Sequence, residues 1–226
     1  MTDARAVDRA ARFASLGHLD RVPDDDVALA GAAVSADPDP RVRAAALGAL
    51  VRAGHADAAT HAWAVAVADP DRAVRRRAAD LGPAVAQWEP DVVGRELVGA
   101  LGDTDVTVVE AVAWALGELG AVAVDAGAVA ALAAVTTEHR DPIAREAAVA
   151  ALGALGDPAG LPAVLAACDD RPAVRRRAVL ALAPFEGGDV DAALGRALTD
   201  KDWQVRQAAE TLLSTEPASE SPSQGD

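Results

Sequence analysis

The chain has no tyrosine, two phenylalanines, one methionine, one lysine and one cysteine in its 226 residues. Aromatic residues make up 3% of it, against 51% hydrophobic residues in all. Its core must therefore be alanine, leucine and valine, with small side chains that let helices approach closely. The single Cys168 excludes an intramolecular disulfide. It lies at the apolar end of a helical segment and reads as a packing residue rather than a reactive thiol. Lys201 is the only lysine, so nearly every cation is an arginine. The formal net charge of −14, from 35 acidic and 21 basic residues, argues against general affinity for nucleic acid or an anionic membrane, which needs clustered cations. No stretch of about 18 apolar residues runs free of charge and turn signals, so no membrane span is expected. The opening MTDARAVDR lacks the apolar centre of a signal peptide. The expectation is a cytoplasmic protein.

Recognisable catalytic and metal-binding patterns are also missing. His18, His55, His61 and His139 make no i, i+4 pair, and no Cys/His ligand spacing exists. There is no glycine-rich loop followed by Lys-Ser/Thr and no Gly-x-Ser-x-Gly. The Asp-x-Asp pairs Asp37/Asp39, Asp69/Asp71, Asp103/Asp105 and Asp200/Asp202 lack the glycine and distal glutamate of a calcium loop. They read as turn residues and helix N-caps. The run Asp24–Asp26 reads as acidic residues offsetting a helix dipole. These absences point away from an enzyme and imply no cofactor and no metal.

What is present is a repeat. Residues 37–50, DPDPRVRAAALGAL, recur imperfectly at 69–82, 103–116, 139–152, 169–182 and 200–213. Aligned on Arg43, Arg75, Val109, Arg145, Arg175 and Arg206, the copies stand 30 to 36 residues apart, a solenoid's period. Val42, Ala46, Ala49 and Leu50 follow the Asp-rich turn at the spacing of one helical face. Pro40, Pro142 and Pro172 fall in a first helical turn, where a missing N–H costs nothing. A second apolar segment lies between these helices, such as Leu161, Val164, Leu165 and Cys168, or Val190, Leu194 and Leu198. The unit is thus two antiparallel helices, A then B, each too short to be stable without stacking on its neighbours. Residues 3–17 predict a leading helix with Val7, Ala11 and Ala14 inward. Pro83 to Pro90 reads as a long connection, and Gly153 to Pro162 as a tight turn. Trp63 and Trp203 read as packing residues. Residues 214–226 are Ser, Glu and Pro without aromatics and read as a disordered tail. The expected organisation is a capping helix at 1–21, a solenoid at 22–213 and the tail.

The pattern, most completely in GDPAGLPAVLAACDDRPAVRRRAVLAL at 156–182, resembles the HEAT repeats of the short kind often called bilin-lyase-type. The resemblance implies an all-α, right-handed α-α superhelix of about six helix pairs, with B helices lining the concave face. It also implies an ion-pair ladder between repeats, carried here by Asp37, Arg43, Asp69, Arg75, Asp169, Arg175, Asp200 and Arg206. Val109 replaces the arginine in the central copy, and His139 replaces the aspartate in the next.

The B-helix column pointing away from the helix-pair core runs through Arg76, Asp80, Glu110, Trp114, Glu118, Glu146 and Arg176. Glu110, Trp114 and Glu118 form a stripe at i, i+4 and i+8. This column predicts a groove centred on Trp114 for a protein or peptide partner carrying basic and apolar residues, on a monomeric scaffold. Two other functions compete with this one. A bilin lyase-like subunit or chaperone, suggested by the resemblance, needs a wide apolar groove. A HEAT-like DNA glycosylase of the AlkD kind would rest on Arg72, Arg75, Arg76 and Arg77 with Arg171, Arg175, Arg176 and Arg177.

Overall fold

The structure, a computed structural model, describes residues 4–16 and 22–215. Among them the regular elements are all helical. Helix α1 (Ala4–Leu16) leads, and six antiparallel pairs follow: α2 (Asp24–Ala36) with α3 (Pro40–Ala53), α4 (Ala56–Ala66) with α5 (Arg72–Val85), α6 (Pro90–Ala100) with α7 (Val106–Leu119), α9 (Ala128–Glu138) with α10 (Pro142–Leu155), α11 (Leu161–Ala167) with α12 (Pro172–Ala181), and α13 (Gly188–Ala197) with α14 (Trp203–Thr215). The short α8 (Ala121–Asp125) is inserted before α9 and accounts for the longest repeat interval. The A helices form one layer and the B helices, with α1 among them, the other; each B helix packs on the next. The core between the layers is alanine, valine and leucine, with the indole of Trp63 fully buried and its Nε1 donating to the Ala78 carbonyl at 2.7 Å.

Each Asp-x-Asp turn divides two roles between its aspartates. The first accepts the N–H of the second: Asp39 on Asp37, Asp71 on Asp69, Asp105 on Asp103 and Asp202 on Asp200, at 2.8–2.9 Å. The second caps the B helix, Asp39, Asp71 and Asp105 accepting from Arg41, Ala73 and Thr107. The caps satisfy donors that a helix N-terminus otherwise leaves orphaned.

The first aspartate also ties the repeats together. Arg43 grips Asp69 through two hydrogen bonds of 2.8 Å, and Arg75 grips Asp103 at 2.6 and 2.9 Å. Arg145 holds Asp170 at 2.6 and 2.8 Å, and Arg175 holds Asp200 at 2.9 and 2.8 Å. The remaining Nη1 of each arginine donates to a carbonyl of its own turn: Asp37, Asp69, His139 and Asp170. One expected member is corrected. Asp170, not Asp169, supplies both the carboxylate and the carbonyl, because this turn is one residue shorter before Pro172 and brings the second aspartate into the bridging place. Arg206 ends the ladder on the Asp200 carbonyl at 2.7 Å. At the other end Arg9 of α1 pairs with Asp37 at 2.9 Å. The central rung is apolar on one side: Val109 is buried, and His139 accepts the Asp141 N–H through Nδ1 at 3.1 Å, reproducing the turn without the carboxylate.

Four readings of the sequence are revised. In α1 the buried residues are Ala6, Phe13 and Leu16, whereas Val7, Ala11 and Ala14 are exposed. The large Phe13 side chain sets the inward face. Pro83 sits inside the last turns of α5, and Pro90 opens α6, so the connection between them is only 86–89. Gly153 lies within α10 and not in a turn. Trp203 is 61% exposed at the start of α14 rather than packed in the core. Residues 214 and 215 continue α14, and the rest of the expected tail, 216–226, lies outside the described residues, as do 17–21 of the leading segment.

Candidate functional site

Adjacent B helices leave furrows on the face opposite the A layer. Between α7 and α10 lies a cleft of about 550 Å³. Glu110, Trp114 and Glu118 rise from α7 as one wall, since residues four apart on a helix stand one above the other. Ile143, Glu146, Ala147 and Ala150 of α10 form the other, over a floor of Gly117, Ala151 and Ala154. Small residues make the floor deep: a Cβ added to Gly117 would already meet Ala154 Cβ at 3.4 Å. Trp114 is 54% exposed, and Ile143, in the first turn of α10 and about two helical turns nearer the N-terminal end of the cleft, is 48% exposed. An indole and a branched aliphatic side chain thus both face solvent in one cleft, with no packing reason for either.

The charges around the cleft are not equivalent. Glu146 lies 3.6 Å from Arg176 and 3.7 Å from Arg177, so it is balanced locally and closes the cleft on the α12 side. Glu110 and Glu118 are exposed and form no such bridge with the described residues. The acidic field around Trp114 therefore comes from these two. Arg76 and Asp80 stand exposed on α5, two B helices away from α10. Sequence reasoning missed Ile143 and Arg177. Ile143 follows the Pro142 of the capped turn and could be found by reading the first helical turn of each B helix for exposed apolar residues.

Burial pushes the Cys168 thiol up to about 11, away from a reactive thiolate. No set of three or more His, Cys, Asp or Glu residues is grouped to hold a metal among the described residues. No described helix is long and apolar enough to cross a membrane. The two arginine clusters fan out rather than converge: Arg72 pairs with Asp105 at 3.0 Å, Arg75 and Arg175 belong to the ladder, and Arg176 and Arg177 turn to Glu146.

By fold this is a helical-repeat solenoid of the HEAT and armadillo type. Residues 129–214 match the family of HEAT repeats. No curated protein matches the chain. Among solved structures it is similar to an engineered protein at 21% identity and a TM-score of 0.61, covering 85% of this chain and 96% of that one. It is also similar to the Escherichia coli protein YibA, at 19% identity and a TM-score of 0.63, covering 95% and 76%. A third is one of the computationally designed armadillo repeat proteins for modular peptide recognition, at 16% identity and a TM-score of 0.55, covering 90% and 98%. At these identities the likeness is one of fold.

Proposed function

We propose that this protein is a non-enzymatic interaction module whose B-helix face receives a peptide segment of a partner protein, seated in the α7/α10 furrow. The observation that carries this reading is the solvent-facing indole of Trp114, set between the carboxylates of Glu110 and Glu118 in a cleft that Ile143 also lines. Such a site suits a cationic side chain lying over the indole, with the carboxylates beside its charged head and an apolar neighbour against Ile143 and the alanine floor. The fold supports the same reading, because a stack of repeats offers a long surface without catalytic machinery. A similar solenoid has been designed for modular peptide recognition.

The test uses random dodecapeptides displayed on phage and selected against the full chain. Peptides combining Lys or Arg with an aromatic or branched aliphatic residue are expected. Trp114→Ala should weaken their binding by about 1–2 kcal/mol, roughly tenfold, while the melting temperature stays within a degree or two. If Trp114→Ala unfolds the chain, or leaves peptide binding unchanged, the furrow is not the binding site. Charge reversal at Glu110 should mainly slow association and flatten its salt dependence.

A further inference from the structure

The furrow between α3 and α5 is the counterpart of the Trp114 furrow toward the N-terminal end of the stack, and its chemistry is opposite. Gly48 occupies in α3 the repeat position that Trp114 occupies in α7. Above it two guanidinium groups converge. A Cβ built on Gly48 would lie 3.1 Å from Nη2 of Arg77 and 3.2 Å from Nη1 of Arg52. Arg77 reaches across from α5, and Arg52 comes from one turn further along α3. A side chain at Gly48 would press on both guanidinium tips, which would have to give way. Neither arginine makes an ion pair or side-chain hydrogen bond with the described residues, unlike the ladder arginines beside them. Asp80, one turn beyond Arg77 on α5, is exposed and forms no bridge to either. Burial, and then the charge of Arg77, lower the pKa of Arg52 from its ordinary value. Two guanidinium tips, that of Arg52 on an exposed residue, thus lie over one glycine on a chain whose net charge is −14, with no carboxylate bridging them among the described residues. Like charges brought together at a surface without a bridging partner suit an anionic ligand.

We infer that Arg52 and Arg77, converging over Gly48, form a receptor for a carboxylate, and that it takes an acidic residue of the same peptide whose basic and apolar residues occupy the Trp114 furrow. Guanidinium groups bind carboxylates through paired hydrogen bonds, and two of them over a bare glycine make a shallow seat for one carboxylate. The choice of a peptide acid over a nucleic-acid phosphate follows from the rest of the surface. Arg72 is already paired with Asp105, and a polyanion continuing toward α7 would meet Glu110 and Glu118. A segment with separated charges meets no such conflict. Packed helices stand about 8–10 Å apart, so α3 and α7, with α5 between, place the two seats roughly 20 Å apart. An extended chain covers about 3.3 Å per residue, so roughly six residues separate the acid from the cation.

The proposal deepens the functional reading above, and two measurements keep the failures apart. The first does not involve the Trp114 furrow. The side-chain Nε–H resonances of the full chain are followed during titration with acetyl-glutamate amide, with acetyl-glutamine amide as the neutral control. Saturable shifts are expected at Arg52 and Arg77 with the glutamate compound only, and Arg52→Gln should abolish the response at Arg77. A response no larger than that of exposed Arg95 would overturn the receptor. Arg52→Gln should also raise the melting temperature at low salt by relieving the repulsion; a lowered value would mean that the pair serves folding. The second measurement repeats the dodecapeptide selection with Arg52→Gln/Arg77→Gln. Wild-type selections should carry Asp or Glu about six residues from the basic and apolar positions, and the double variant should lose that acidic preference at least tenfold while keeping the rest. Basic and apolar enrichment without the acid would sink this inference and leave the furrow reading standing. Glutamate binding without any basic and apolar enrichment would do the reverse. Tight oligonucleotide binding that disappears in the double variant would reassign the pair to phosphate and overturn the proposal.

Discussion

Arg175 and Arg176 are adjacent in sequence and differ in almost everything else. Arg175 is 8% exposed and spends three nitrogens on two residues: Asp200 accepts from Nε and Nη2, and the Asp170 carbonyl accepts from Nη1. Arg176 stays half-exposed with a 3.6 Å approach to Glu146. Removing Arg175 strands a partly buried carboxylate and a carbonyl, so Arg175→Ala should cost about 2–3 kcal/mol. Arg176→Ala should cost less than about 0.5 kcal/mol. Urea unfolding of the two variants checks this, and equal midpoints would refute the ladder's role in stability. The repeat alignment singled out Arg175 because its period places it beside Arg43 and Arg75. It chose Asp169, six residues before Arg175 as Asp37 is before Arg43, and the shorter turn before Pro172 puts Asp170 in that place instead.

At the scale of elements, Gly153 shows how a residue read as punctuation can serve packing. A Cβ there would lie 2.6 Å from Cα and 2.7 Å from Cβ of Ala181, so α10 and α12 touch through backbone. A helix backbone cannot swing aside as a side-chain tip does. Gly153→Ala should therefore destabilise by about 1–3 kcal/mol despite alanine's better helix propensity. Calorimetry measures it; a variant as stable as the parent would show that α12 slides freely on α10. Helix α1 teaches the same lesson in reverse. Its sequence offers two apolar stripes, and the larger Phe13 turned inward leaves Val7 wet. Periodicity finds a helix, but the choice between two competing faces depends on what α3 presents to it.

Across the whole molecule the ladder couples stability to pH. The arginine hydrogen bonds hold the carboxyls of Asp103, Asp170 and Asp200 below their ordinary value of 3.8. Groups with depressed folded-state values bind fewer protons folded than unfolded, so stability rises with pH across that window. The contribution is complete above about pH 4 and is lost as pH falls through the depressed values below 3.8. Urea midpoints should change little from pH 7 to 5 and drop steeply toward pH 3. In Arg175→Ala the drop should be shallower, because Asp200 returns to an ordinary carboxyl; an unchanged acid slope would show that the rungs do not govern it. The break at Val109 and His139 leaves the stack without a charged rung beside the Trp114 furrow.

The sequence by itself determined the helix-pair repeat, its period, the Asp caps and the column that carries Trp114. These are local properties, set by propensity, spacing and turn chemistry, and they repeat six times in one chain. Tertiary structure alone decided which carboxylates are free. Glu110, Glu118 and Glu146 read alike along the column, yet only Glu146 has arginines from α12 within reach. Structure likewise decided that Arg77 turns toward Gly48 and Arg52 while Arg75, two residues earlier, crosses to Asp103. Distances between helices of different repeats depend on how far small residues let the backbones close, and no single stretch of sequence contains that information.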